Sequence, residues 1–307
     1  MSGKRRHSIV VAILLGTLFF TGLGRALETP SSPEKNMVAD TFATNGISMY
    51  YELRGDKSNP PVLLIAGLGG MGVNWEAQIG LFAEKFYVIL PDQRGTGRSS
   101  RTMDGYTTEQ LASDIASLIE HLELGAVHVV GSSTGGAIAQ YMALNHPDTV
   151  RTLTISSSFA HFDEYIQREF KVRRKIAAEW TDRAAVYDAT ALFLFSPRFV
   201  RDNPRRISEW INRVISKPVK PEDHEITLKR IDMVAAHDAF SRLGDIDKPT
   251  LVLCGRQNAC TPLPLSEEIA QNIPGAKLVV IEDAGELIEI EKEQEFYTLV
   301  SDFLIAN

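Results

Sequence analysis

Gly131-Ser132-Ser133-Thr134-Gly135 is the segment of this chain most suited to covalent chemistry. It follows the apolar run Val127 to Val130 and leads into Gly135 to His146, a stretch of small residues that reads as a helix. A serine in a G-x-S-x-G pattern at such a junction sits on a sharp strand-to-helix turn. The turn exposes its hydroxyl and aims helix N–H groups at the space beside it. The serine at the centre is Ser133, not Ser132. Its hydroxyl is a weak nucleophile until a neighbouring base takes its proton and later returns it to the leaving group. The two cysteines, Cys254 and Cys260, read as free thiols, one in a buried strand and one in the following loop, without the paired spacing of a metal site. The acidic residues Glu282, Asp283, Glu286, Glu289, Glu291 and Glu293 read mostly as a solvated loop and helix face. No metal and no cofactor is expected.

The elements that position Ser133 follow from hydrophobic period and turn residues. Val38 to Ala43 and Ile47 to Arg54 flank Asn45-Gly46, a hairpin signal. Short apolar strands are predicted at Pro61 to Ile65, Phe86 to Leu90, Val127 to Val130, Val150 to Ser156, Pro249 to Cys254 and Lys277 to Ile281. Helices are predicted at Asn74 to Glu84, Thr107 to Leu122, Gly135 to His146, Leu265 to Ile273 and from Gln294 onward. Strands alternating with helices predict a mostly parallel sheet, covered by helices on both faces. The alternation breaks over 159–243, a helical stretch holding Trp180, Phe193, Phe195, Phe199 and Trp210. That stretch reads as a lid over the strand ends, where open α/β sheets place ligands. The core is then 37–158 together with 244–307.

Five motifs in order give the chain a family resemblance: Ala66-Gly67-Leu68-Gly69-Gly70, Asp92-Gln93-Arg94-Gly95-Thr96-Gly97-Arg98-Ser99, the Ser133 elbow, Pro249 to Gly255, and Ala284-Gly285. It resembles the α/β-hydrolase superfamily, in its single-lid esterase, lactonase and C–C hydrolase branch. The resemblance runs from about Ile47 to the C-terminus. It implies an eight-stranded-type sheet with a helical lid, and an oxyanion hole built from the N–H groups of Leu68 and Thr134. Arg94 and Asp92 would tie down the loop beneath the site. The family's acid, four residues before a proline, falls on Asn258, ahead of Thr261-Pro262. The family's histidine, after Ala284-Gly285, falls on Glu286. The triad positions therefore read Ser133, Asn258, Glu286. The two departures are chemically consistent. An aspartate beside Glu286 would set two like charges in one pocket, whereas Asn258 offers amide N–H donors to the carboxylate.

Among the remaining histidines, His128 begins the strand that enters the elbow, His146 ends a helix, and His224 and His237 lie within 159–243, His237-Asp238 ahead of the strand at Pro249. His161, just past the strand at Val150 to Ser156, is the candidate substitute base, with Asp163 and Glu164 near it. Three functions follow. The first is a serine hydrolase of a small ester, lactone or thioester. The second is a catalytically silent member that binds a small ligand. The third is a lyase or isomerase with Glu286 as base.

The chain has 307 residues and a net charge of −7, with 44% hydrophobic and 23% charged residues. This suits a globular domain, and no basic stripe favours nucleic acid. Lys4, Arg5 and Arg6 precede an apolar run from Ile9 to Leu23, and Gly24-Arg25-Ala26 offers small residues for cleavage. Residues 1–26 read as a signal peptide or an uncleaved anchor, and 27–36 as a linker. The expectation is an exported protein, periplasmic or secreted, touching a membrane only through that segment.

Overall fold

The computed structural model describes residues 37–307. The expected signal and linker lie outside the described residues.

Eight strands form one sheet: β1 (Val38–Thr44), β2 (Ile47–Arg54), β3 (Pro61–Ile65), β4 (Tyr87–Pro91), β5 (Val127–Ser132), β6 (Val150–Ser156), β7 (Thr250–Gly255) and β8 (Lys277–Ile281). Their order is β1-β2-β4-β3-β5-β6-β7-β8. β1 and β2 are antiparallel to their neighbours, and β3 to β8 run parallel. The hairpin at Asn45-Gly46 forms as its residues dictate, both with positive φ.

The central strands are buried on both faces yet still alternate. Leu63, Ile65, Ile89 and Val129 face one apolar cluster, with Leu111 and Ile115 of α2 (Thr108–His121), residues of α3 (Thr134–Asn145), and Ile269 of α9 (Leu263–Asn272). Val62, Leu64, Val88 and Val130 face the other, with Phe82 of α1 (Glu76–Ala83) and Phe296 and Val300 of α11 (Glu293–Ala306). Helices on both faces complete the layers that a parallel sheet requires. Thr107 caps α2 by accepting a hydrogen bond from Gln110 N at 3.0 Å.

Between β6 and β7 come five helices: α4 (Glu164–Glu179), α5 (Arg183–Leu194), α6 (Pro197–Asp202), α7 (Pro204–Ile215) and α8 (Asp223–Ala235). Phe195, Phe199 and Trp210 form a small core of their own. Trp180 is exposed. The single turn α10 (Ile288–Glu291) goes beyond the sequence reading.

Candidate active site

The sheet register brings the site together. Ile65 of β3 pairs with Gly131 of β5, so the glycine-rich loop after β3 starts beside the elbow after β5. A Cβ on Gly67 would lie 3.2 Å from Ser133 Cβ. Ser133 itself has φ 54° and ψ −123°. That backbone conformation costs a non-glycine residue on the order of 1–3 kcal/mol, and the surroundings enforce it. Its N–H donates to Ser156 O at 2.9 Å, and its carbonyl accepts from Ser158 Oγ at 2.8 Å. A Cβ on Gly135 would fall 2.1 Å from Ile65 O, so only glycine lets the helix start this close to β3. Ser133 is partly exposed while Ser132 and Thr134 are buried.

Leu68 follows Gly67, which packs against Ser133, and Thr134 follows Ser133 in the chain. Thr134 is the first residue of α3, so its N–H has no acceptor within the helix. The Leu68 N–H donates to no acceptor among the described residues. Asp92 and Arg94 are tied into the base of this loop. Asp92 accepts from Gly72 N at 2.9 Å and Arg98 N at 2.8 Å, and Arg94 forms a buried pair with Asp114 at 2.8 Å.

The opposite wall comes from the loops after β7 and β8. Gly255 pairs with Ile281 at the ends of these strands, which sets Asn258 and Glu286 side by side. Asn258 Oδ1 accepts from the N–H groups of Cys260 and Thr261 at 3.0 and 2.9 Å. Its Nδ2 is thereby turned to donate to Glu286 Oε2 at 2.8 Å. Thr261 Oγ1 donates to the same oxygen at 2.6 Å. Glu286 is wholly buried. The Ser133 hydroxyl lies beside its carboxylate and favours the charged form, yet Oε1 has no aligned hydrogen-bond partner among the described residues. Burial dominates and raises the Glu286 pKa, against the hydrogen bonds from Ser133, Thr261 and Asn258 and the charge of Arg173.

Sequence reasoning missed what surrounds that carboxylate. Glu169 and Arg173 of α4 reach the same wall: Arg173 Nη1 lies 3.3 Å from Glu169 Oε1 and 3.2 Å from Cys260 Sγ. Burial raises Glu169 to about 7. Glu289 lies under the elbow and accepts from Ser132 Oγ at 3.1 Å; burial raises it to about 7 as well. The reading of the acidic run as mostly solvated is corrected here. Glu282 is exposed, but Glu286 and Glu289 are 0% and 5% exposed, drawn inward where α10 turns back on the sheet. Glu286 lies in the loop before α10 and Glu289 on α10, and their carboxylates turn to different partners, so no helical spacing in the sequence announced the pair.

His161 is not brought to Ser133. Its Nε2 pairs with Glu268 of α9 at 3.0 Å, and its ring packs on Phe240. A backbone bridge to Asp238 holds that segment in place. Asp163 caps α4 instead of orienting His161. His128 bonds Thr152 and His237 bonds Thr108, and burial lowers both to about 4. His146 bonds Ser113. Cys254 and Cys260 are free and buried.

The comparisons with known proteins show the family and the fold. The family model of the alpha/beta hydrolase fold matches residues 60–293. A protein of Azorhizobium caulinodans bearing the name "Putative carbamate hydrolase RutD" is 34% identical over 76% of this chain and 86% of its own. The enol-lactonase of Burkholderia xenovorans superposes with a TM-score of 0.77 at 25% identity, covering 87% of this chain and all of that one (100%). A thermophilic esterase of Thermogutta terrifontis superposes with a TM-score of 0.74 at 28% identity, covering 88% of this chain and 98% of that one. With its sheet order, its elbow and a family model spanning most of its length, the chain belongs to the α/β-hydrolase fold family.

Proposed function

We propose that this chain is a serine hydrolase of a small carboxylic ester, lactone, thioester or carbamate, with Glu286 in the role a histidine has elsewhere in the family. The observation that carries the proposal is the buried Glu286 carboxylate beside the strained Ser133, with its second oxygen held by Asn258 and Thr261. Ser133 Oγ attacks the carbonyl carbon while its proton passes to Glu286. The N–H groups of Leu68 and Thr134 hold the oxyanion. The tetrahedral adduct collapses, the C–O, C–S or C–N bond to the leaving group breaks, and Glu286 returns the proton to it. Water then cleaves the acyl-serine along the same path in reverse. A carboxylate is a poor base at its ordinary pKa, and burial makes the ionised form a stronger one. Lactone, ester and carbamate present the same polarised carbonyl, and the names of the relatives fall within that set.

The test is turnover of short-chain p-nitrophenyl esters, beside Ser133→Ala and with a fluorophosphonate label. Turnover and labelling that both vanish in Ser133→Ala are the expected result, with a loss on the order of 10⁶-fold as for other serine nucleophiles. Absence of labelling in folded protein would defeat the proposal. The unpartnered Glu286 Oε1 favours one second reading, abstraction of a substrate proton by Glu286 without a covalent step. Activity kept in Ser133→Ala but lost in Glu286→Gln would select it. A silent, ligand-binding member would show no turnover in either test.

A further inference from the structure

Arg230 lies on α8, outside the sheet, and is 2% exposed. All three of its nitrogens donate to oxygens of the loops after β3 and β4. Nε reaches Leu68 O at 3.1 Å, Nη1 reaches Arg94 O at 3.2 Å, and Nη2 reaches Gln93 Oε1 at 2.6 Å. Gln93 passes the constraint on: its Nε2 donates to Ala66 O at 2.7 Å and its N–H to Gly70 O at 2.7 Å. The guanidinium therefore holds the loop from Ala66 to Gly70 directly at Leu68 O and, through the Gln93 side chain, at Ala66 O.

The loop is shaped to admit it. A Cβ on Gly70, at φ +67°, would meet Arg230 Nη2 at 2.8 Å, while a Cβ on Gly67 would meet Ser133 Cβ at 3.2 Å. The same five residues are pressed between the nucleophile on one side and Arg230 on the other. The charge has no carboxylate partner among the described residues, unlike Arg94, which pairs with Asp114. Burial accordingly pulls Arg230 down to about 10. A buried, unneutralised cation is costly unless hydrogen bonds satisfy it, and here it is satisfied by carbonyl and amide oxygens alone. Its field is left available to a negative charge that develops nearby.

We infer that Arg230 is a positioning residue for acyl transfer, fixing the Leu68 carbonyl so that the Leu68 N–H stays directed at the oxyanion formed on Ser133. The inference rests on the serine-hydrolase reading. It makes the insertion part of the oxyanion hole, because a residue of α8 sets the geometry of a loop after β3.

The experiment compares Arg230→Met and Arg230→Lys with the unaltered full-length protein in p-nitrophenyl acetate hydrolysis, with active sites titrated by a fluorophosphonate. The expected result for Arg230→Met is kcat reduced about 10²-fold with KM changed less than about threefold, because the lost contact matters only when the oxyanion forms. The fluorophosphonate labelling rate falls in parallel. Arg230→Lys, which keeps the charge but not the three-way geometry, recovers part of the loss. A residue that served packing alone would lower Tm but leave kcat per titrated site intact, and that outcome overturns the inference. If Arg230→Met does not fold, an unchanged kcat in Arg230→Lys overturns it equally. Ser133→Ala separates the two failures. Turnover that survives Ser133→Ala removes the hydrolase reading and this inference with it. Turnover lost in Ser133→Ala but normal in both Arg230 variants removes only the role of Arg230.

Discussion

The wall of the site built after β3 and β5 and the wall built after β7 and β8 are held by different physics. The first is a backbone device. It consists of the strained turn at Ser133 and the main-chain N–H groups of Leu68 and Thr134, held by close approach of glycine to carbonyl. The second is a side-chain device. Glu286 is held by Asn258 Nδ2 and Thr261 Oγ1, with the carboxylate of Glu169 and the guanidinium of Arg173 packed near it. Backbone geometry is over-determined by the sheet and tolerates little change. Side-chain chemistry can be exchanged as a set, provided that the new charges and donors match. Asn258 with Glu286 is such a matched set, since an aspartate at 258 would add a second negative charge to a fully buried carboxylate.

The side-chain wall gives way most clearly in Glu286→Gln. The amide keeps the shape but accepts no proton, so kcat/KM on p-nitrophenyl acetate should fall roughly 10³-fold, within the usual range for removing a general base. The unaltered enzyme should gain rate with rising pH through a limb above the ordinary carboxylate range, because burial raises the Glu286 pKa and only the ionised form takes the proton. That limb should be absent from the pH profile of Glu286→Gln. A profile with the same limb in both proteins would assign it to another group.

A smaller effect separates the two walls. Glu286→His together with Asn258→Asp rebuilds the side-chain wall in the form the rest of the family uses. If the backbone wall is complete, hydrolysis of p-nitrophenyl acetate near pH 7 should rise, on the order of 10-fold or more, since imidazole is matched to that pH and the aspartate fixes its tautomer. No gain in a folded double variant would show that the backbone wall, or the space around it, has also departed from the family's arrangement.

How much of this was legible in the sequence follows the same division. The elbow, the Asn45-Gly46 hairpin and the parallel character of a doubly covered sheet are written in local residue types, because glycine spacing and strand–helix alternation report backbone geometry directly, whereas the order of the strands is not. The positions of Asn258 and Glu286 were legible too, as departures from the resemblance. Their partners were not. Thr261 reads as a loop threonine, and Glu169, Arg173 and Arg230 look like the polar positions of ordinary amphipathic helices. Only the fold of the insertion turns those helices toward the sheet, and no local pattern encodes that direction. His161 erred for the same reason: chain position placed it on the open side, while Glu268 on α9 decided where its ring points.

The mildest perturbation falls beneath the backbone wall. Glu289 is 5% exposed and bonds Ser132 Oγ, with its Oε2 left unpartnered. Burial raises its pKa from the ordinary 4.5 to about 7. A carboxyl group raised in the folded state favours folding most when protonated. Its contribution is complete below pH 4.5, fades between 4.5 and about 7, and is lost above that. Glu289→Gln supplies a permanently neutral side chain of the same shape. It should raise stability at pH 8 by on the order of 1–3 kcal/mol and leave stability near pH 5 almost unchanged. Denaturant melts at the two pH values measure this, and kcat should stay close to that of the unaltered protein, since Ser132 is not the nucleophile. A variant destabilised equally at both pH values would mean that Glu289 is ionised in the folded protein, and that a charge under the elbow, rather than a neutral carboxyl, supports the strained Ser133 turn.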